Sequence, residues 1–204
     1  MRQIVFLFCL LISITAICQM EAGIKSGVVM SRIIWTNDVF DRNGDFGYLG
    51  FGPDFGIYGK MMLSEKFTIA IENHFAVKGG VSTTTENQLK LNYLHTPLIL
   101  GYELWKTEIQ SGFYYDFFVN SNVGGDDFKS DLGYLFGAKA DITTKLFFEC
   151  RYERGLIHQG STFPRIYTVP GSTPDSFKIR SERPKARNQA ISFIIGYKLK
   201  KQNR

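Results

Sequence analysis

An all-β chain, closed as an eight-stranded antiparallel up-and-down transmembrane β-barrel, is what three observations predict for this sequence. Eight stretches alternate apolar and polar residues with the period of two that marks a strand with one apolar face. The connections between them alternate between short and long. The apolar faces are rich in large aromatics, with 18 Phe and 10 Tyr in 204 residues.

Bulk composition and the N-terminus narrow the alternatives. The hydrophobic fraction is 44% and the mean hydropathy −0.09, which does not describe a polytopic helical membrane protein. The formal charge of +5 is modest, and no Lys/Arg stripe lies beside stacking aromatics, so nucleic acid is not an expected partner. The segment MRQIVFLFCLLISITAICQ has one positive charge at Arg2, then an apolar run from Ile4 to about Ile17. A spanning helix needs about 20 apolar residues. The run therefore reads as a secretory leader, residues 1–18, cut near Gln19 after the small residues Ala16 and Cys18. Residues 19–204 form the barrel domain. Cleavage leaves Cys150 alone, so no intramolecular disulfide framework is expected.

The strand-like stretches are Ala22–Trp35, Phe51–Leu63, Phe67–Lys78, Gln88–Leu104, Glu108–Val119, Asp131–Ile142, Lys145–Leu156 and Asn188–Leu199. Most reach or exceed the roughly 9–11 residues with which a tilted strand crosses a bilayer. Short links (Ser64–Lys66, Trp105–Thr107, Thr143–Thr144) follow the second, fourth and sixth stretches. Long ones follow the first, third, fifth and seventh, the last running from Ile157 to about Arg187. Tight turns at one end and long loops at the other are the pattern of outer-membrane barrels.

The faces are well separated. Ile191, Phe193, Ile195, Tyr197 and Leu199 oppose Ser192, Gly196 and Lys198; Phe67, Ile69, Ile71, Phe75 and Val77 oppose Thr68, Glu72, His74 and Lys78. Leu132, Tyr134, Phe136, Ala138 and Ile142 oppose Gly133, Gly137, Lys139 and Asp141, and Phe148, Cys150 and Tyr152 oppose Glu149, Arg151 and Glu153. Period two alone permits either polarity. With the apolar face inward, the chain is a soluble, secreted, lipocalin-like barrel around a small apolar ligand. Apolar-out is favoured by the Tyr residues near strand ends (Tyr102, Tyr115, Tyr134, Tyr152, Tyr197), which form interface girdles. Mixed charges with Gly on the other face suit a crowded lumen. The first stretch, GIKSGVVMSRIIW, alternates poorly, and its facing stays open.

In KLNYLHTPLILGYEL the apolar residues change parity, from Leu89, Leu91 and Tyr93 to Leu98, Leu100, Tyr102 and Leu104. A closed barrel has no edge strand to excuse Pro97. A bulge near YLHTP, which adds a residue and flips the later side chains, is the expectation. The alternative is a break between two short strands.

These same residues carry a resemblance. LNYLHTPLILGYE is similar to the YL-x-x-P element of the PorT-like outer-membrane β-barrel family, common in Bacteroidetes. ECRYERGL (Glu149–Leu156) resembles its R-Y-x-x-G-L, and NQAISFIIGYKL (Asn188–Leu199) its final strand. The resemblance implies an eight-stranded outer-membrane barrel with periplasmic termini and little about activity. The chain departs from such barrels in ending on the basic tail KKQNR rather than an aromatic residue.

Chemistry has weak motif support. His74, His95 and His158 share no metal-ligand spacing, so no metal or other cofactor is expected. A lipid-modifying enzyme would need a nucleophile–base pair, for which His95 beside Thr96 or His158 with Ser161 are the candidates; no G-x-S-x-G element accompanies them. DRNGD (Asp41–Asp45) and GGDD (Gly124–Asp127) lack a calcium-loop ligand ladder. Glu72, Glu103, Asp116, Asp141, Glu149 and Glu153, with Lys60, Lys78, Lys90, Lys139, Arg151 and Lys198, are expected to face the lumen as a structural charge network, since eight strands leave just room for side chains. The last long loop holds Arg165, Lys178, Arg180, Arg183, Lys185 and Arg187, candidates for lipopolysaccharide phosphates; a solvated loop punctuated by VPGSTPD is the alternative. The expectation is a monomeric, non-enzymatic outer-membrane barrel with a filled lumen. Its partners are then outer-membrane lipid, lipopolysaccharide and an envelope protein complex, met through the long loops.

Overall fold

The structure, a computed structural model, describes residues 20–35, 48–81, 88–122, 129–157, 163–168, 177–182 and 186–200. The leader, the segments Asp41–Asp45 and Gly124–Asp127, His158, Ser161, Arg183, Lys185 and the end of the basic tail lie outside the described residues.

Eight long strands close into one antiparallel barrel. They are β1 (Met20–Trp35), β2 (Tyr48–Met62), β3 (Phe67–Val81), β4 (Gln88–Leu104), β5 (Thr107–Ser121), β6 (Asp131–Asp141), β7 (Leu146–Gly155) and β10 (Ala186–Lys200). Each pairs with its sequence neighbours in the barrel, and β10 closes on β1. Between β7 and β10 a separate antiparallel hairpin, β8 (Phe163–Thr168) and β9 (Phe177–Glu182), occupies part of what the sequence presents as an irregular loop. VPGSTPD lies between these two short strands.

Two of the short connections repeat one device. Ser64 Oγ accepts from Phe67 N at 3.1 Å and Thr143 Oγ1 from Leu146 N at 2.9 Å, so each hydroxyl closes a turn of the form Ser/Thr-x-Lys-apolar. The third turn, Trp105–Lys106, holds Trp105 at φ 58, a left-handed conformation that Gly or Asn usually supplies.

Burial alternates along the barrel strands, and the polarity is apolar-out. Phe193 is 41% exposed and Phe113 65%, whereas Glu149 and Asp116 are fully buried. Tyr102 and Tyr197 face out near the short-turn end; Tyr115, Tyr134 and Tyr152 face out toward the long-loop end. From Tyr102 to Thr96, the partner of Tyr115, is six residues of β4, roughly 20 Å along the strand. That matches the band of about 25 Å that membrane barrels present to lipid. The poorly patterned β1 follows the same rule: Glu21, Lys25, Val29, Ser31 and Ile33 are buried inside, and Ile24 and Val28 face out.

The expected bulge in β4 is absent. Burial alternates without a break from Leu89 to Gly101, odd residues inward throughout, and pairing with β5 runs straight through Pro97↔Tyr114. What changes at Tyr93 is the surroundings. Above it the outward residues Lys90 and Asn92 have left the apolar belt, while the inward Leu89, Leu91 and Tyr93 pack with Ile33 and Phe118 as an apolar cap in the lumen. Lys90, expected inside, is therefore an outward, exposed residue. The missing Pro97 N–H is absorbed on the other side, where pairing with β3 steps from Ile71↔Leu98 to His74↔His95. Thr96 Oγ1 bridges this gap by donating to Asn73 Oδ1 at 2.9 Å. A register shift does occur nearby, but on β5: Asn92↔Asn120 is followed by Tyr93↔Phe118.

Candidate functional site

The inward positions of the barrel bring the ionisable residues into three tiers. In the middle tier Arg151 of β7 reaches across the lumen to Glu72 of β3, donating from Nη1 and Nη2 at 2.8 and 2.7 Å. Lys25 of β1 donates to Glu72 and to Glu149, each at 2.6 Å, and the Arg151 Nε group pairs with Glu149. Three strands are thereby joined through their side chains. Space for the guanidinium arm comes from Gly137 on the neighbouring strand, where a Cβ would press on the Arg151 side chain. His74 continues the tier, with Asp54 at 2.7 Å from Nδ1 and Glu72 at 2.8 Å from Nε2.

One step toward the long-loop end, Lys78 donates to Asp116 and Glu153, both at 2.8 Å. His95 shares these carboxylates, with Asp116 at Nδ1 and Glu153 Oε1 at 3.4 Å from Nε2. The rings of His74 and His95 stand edge to face, 6.0 Å between centroids. The sequence treats the histidines as isolated; the His74↔His95 register of β3 and β4 makes two of them neighbours. Above this tier, Asn188 bridges Tyr93 and Asp131 beneath the apolar cap.

The third tier lies toward the short turns. Lys60 pairs with Glu103 at 3.1 Å and with Glu108; Lys198 pairs with Asp141 at 2.8 Å and with Glu21 at 3.6 Å. Lys139 lies 3.5 Å from Glu21. Here the lumen opens into a cavity of about 730 Å³, lined by these groups and by Trp105. Next to Lys139, one of its lining groups, lie two aromatic rings. Tyr58 and Phe147 meet edge to face, Lys139 lies 4.2 Å from the Phe147 centroid, and Lys25 lies 5.5 Å from it on the same ring system.

Glu72, Glu103, Asp116, Lys139, Asp141, Glu149, Arg151 and Glu153 thus all have inward partners, though the Asp141 side chain is 42% exposed at the rim. Sequence reasoning missed Glu21, Lys25, Asp54, His74, His95 and Glu108 as members. Glu21 and Lys25 sit in the strand whose alternation was unreadable, and Asp54 follows Pro53 in a Gly-rich run. Thr96 faces outward while His95 faces inward, so that pair makes no nucleophile–base couple. Among the described residues no cluster of three or more His, Cys, Asp or Glu is arranged to hold a metal. Of the six loop cations, Arg165, Lys178 and Arg180 lie on the β8–β9 hairpin, Arg183 and Lys185 fall outside the described residues, and Arg187 is on β10 facing out.

No protein-family model and no curated protein matches the chain. Among solved structures, it is similar to Neisserial surface protein A at 12% identity and a TM-score of 0.49, over 87% of this chain and 97% of that one. OprG from Pseudomonas aeruginosa matches at 13% and 0.44 over 89% and 95%. Ail of Yersinia pestis matches at 10% and 0.42 over 89% and 99%. At these identities and scores the likenesses assign no residue of this chain a role.

Proposed function

We propose that this chain is an exported, monomeric, non-enzymatic outer-membrane barrel whose lumen is a structural plug. Its long-loop end meets lipopolysaccharide and an envelope protein partner. The observation that carries the reading is the cross-lumen Arg151–Glu72–Lys25–Glu149 network, whose side chains are at most 2% exposed. Removing one partner of such a buried ionic group is costly, and with the apolar cap beyond it the network fills the lumen against the passage of solutes. The apolar exterior belt supports insertion in a bilayer, and strands that cross a membrane in closed barrels belong to outer membranes. LNYLHTPLILGYE and ECRYERGL support a place beside the PorT-like barrels, and the leader supports cleavage before Gln19. Arg165, Lys178, Arg180, Arg183, Lys185 and, at the start of β10, Arg187 are the groups proposed to meet lipopolysaccharide.

The test joins fractionation with planar-bilayer recording. Recovery in the outer membrane and no large, stable conductance are expected. Recovery in the soluble periplasm would contradict the membrane assignment, and a stable open pore would contradict the plug.

A further inference from the structure

The exterior charges follow a rule of their own. Among the described outward-facing residues of the barrel strands, four are charged, all are basic, and none is a carboxylate: Arg32, Lys90, Arg154 and Arg187. Each lies within three residues of the long-loop end of its strand. Three of them gather on adjacent strands. Arg32 of β1 pairs with Gln189 of β10, which pairs with Arg154 of β7; Arg187, opposite Ile34, is one rung higher. Arg187 is thus the diagonal neighbour of both Arg32 and Arg154, and three like charges stand together on adjacent strands with no described carboxylate on that face to balance them.

The patch is also oriented. Arg32 Nε donates to Gln189 Oε1 at 2.8 Å, and Gln189 Nε2 donates to the Tyr152 hydroxyl at 2.6 Å. Tyr152 belongs to the upper aromatic girdle, so the guanidinium groups stand just above the apolar belt. The Arg187 Nε atom is shut from solvent with no hydrogen-bond partner among the described residues. A planar guanidinium presents forked donors that match phosphate oxygens. We infer that Arg32, held by Gln189 and Tyr152, together with Arg154 and Arg187, binds a phosphate group of an anionic glycolipid in the outer leaflet. The inference rests on the outer-membrane reading above and adds Arg32 and Arg154, on the barrel wall, to Arg187, which is already among the groups proposed there.

The full chain folded into phosphatidylcholine nanodiscs doped with diphosphorylated lipid A provides the test, with bound lipid read by native mass spectrometry. Wild type is expected to retain diphosphorylated over dephosphorylated lipid A by about tenfold, and R32Q/R154Q/R187Q to lose that preference, as forked charge-assisted bonds require. K90Q, on the opposite wall, is expected to behave as wild type, and millimolar inorganic phosphate to leave the lipid bound. Equal retention of the two lipids, an unaffected triple variant, or displacement by free phosphate would each overturn the site. So would a triple variant that keeps lipid A but loses a co-purifying envelope protein, since the arginines would then be a protein contact. If the triple variant does not reach the heat-modifiable folded form, R32Q and R154Q singly carry the test, and retention equal to wild type in both overturns the site. A wild-type chain that never inserts into bilayers would instead be a failure of the outer-membrane reading.

Discussion

At the scale of residues, the lumen is a set of mutual obligations. Arg151 satisfies Glu72 and Glu149 together, and Glu72 also receives Lys25 and His74. Removing one partner of a buried ionic cluster leaves the others uncompensated, at a cost of about 3–5 kcal/mol. Arg151→Met is therefore expected to destabilise the barrel by about that amount in urea titrations in lipid vesicles, and Glu72→Gln in the same chain to recover part of the loss. A different obligation ties Phe147 to Gly196, where any Cβ would run into the phenyl ring. Gly196→Leu is expected to abolish the folded, heat-modifiable band on gels, and Phe147→Ala combined with Gly196→Ala to restore it. Which charges share a tier was not legible in the sequence. Parity tells which wall position a side chain takes, but Arg151 and Glu72 lie on β7 and β3, and only barrel closure sets them face to face.

At the scale of elements, β4 corrects the reading of a parity change as a bulge. Apolar residues mark the face turned to hydrocarbon only while the strand is inside the membrane. Past Tyr93 the outward face is polar and the inward face caps the lumen, so the same strand carries opposite patterns in its two halves. A depth-dependent cost follows. Leu98→Lys, in the belt, is expected to destabilise by about 2–4 kcal/mol, and Asn92→Lys, above it, by about 0–1 kcal/mol, in vesicle unfolding titrations. Equal costs would restore the bulge account. Strand positions and the three tight turns were readable because each strand holds one parity across the belt. The facing of β1 was not, because Gly23, Ser26 and Gly27 dilute its contrast. The β8–β9 hairpin was hidden by short segments without clear alternation.

At the scale of the molecule, closure and polarity reinforce one another. A closed sheet pairs every spanning strand on both sides, which hydrocarbon demands, and the narrow interior forces ions into pairs. Turn asymmetry and aromatic placement carried the fold class through the sequence, since both arise from crossing a bilayer repeatedly. Of the exterior arginine patch only Arg187 was a lipopolysaccharide candidate in the sequence; Arg32 and Arg154 escaped notice because they are far apart in the chain and occupy apolar-face parity. The most direct test of apolar-out polarity is a nitroxide scan along β10, positions 190 to 198, in folded, bilayer-inserted protein. Collision with lipid-soluble oxygen should peak at positions 191, 193, 195 and 197 and fall at 190, 192, 194 and 196. High accessibility of 191, 193 and 195 to a water-soluble nickel chelate, with oxygen contact at 192 and 194, would contradict it.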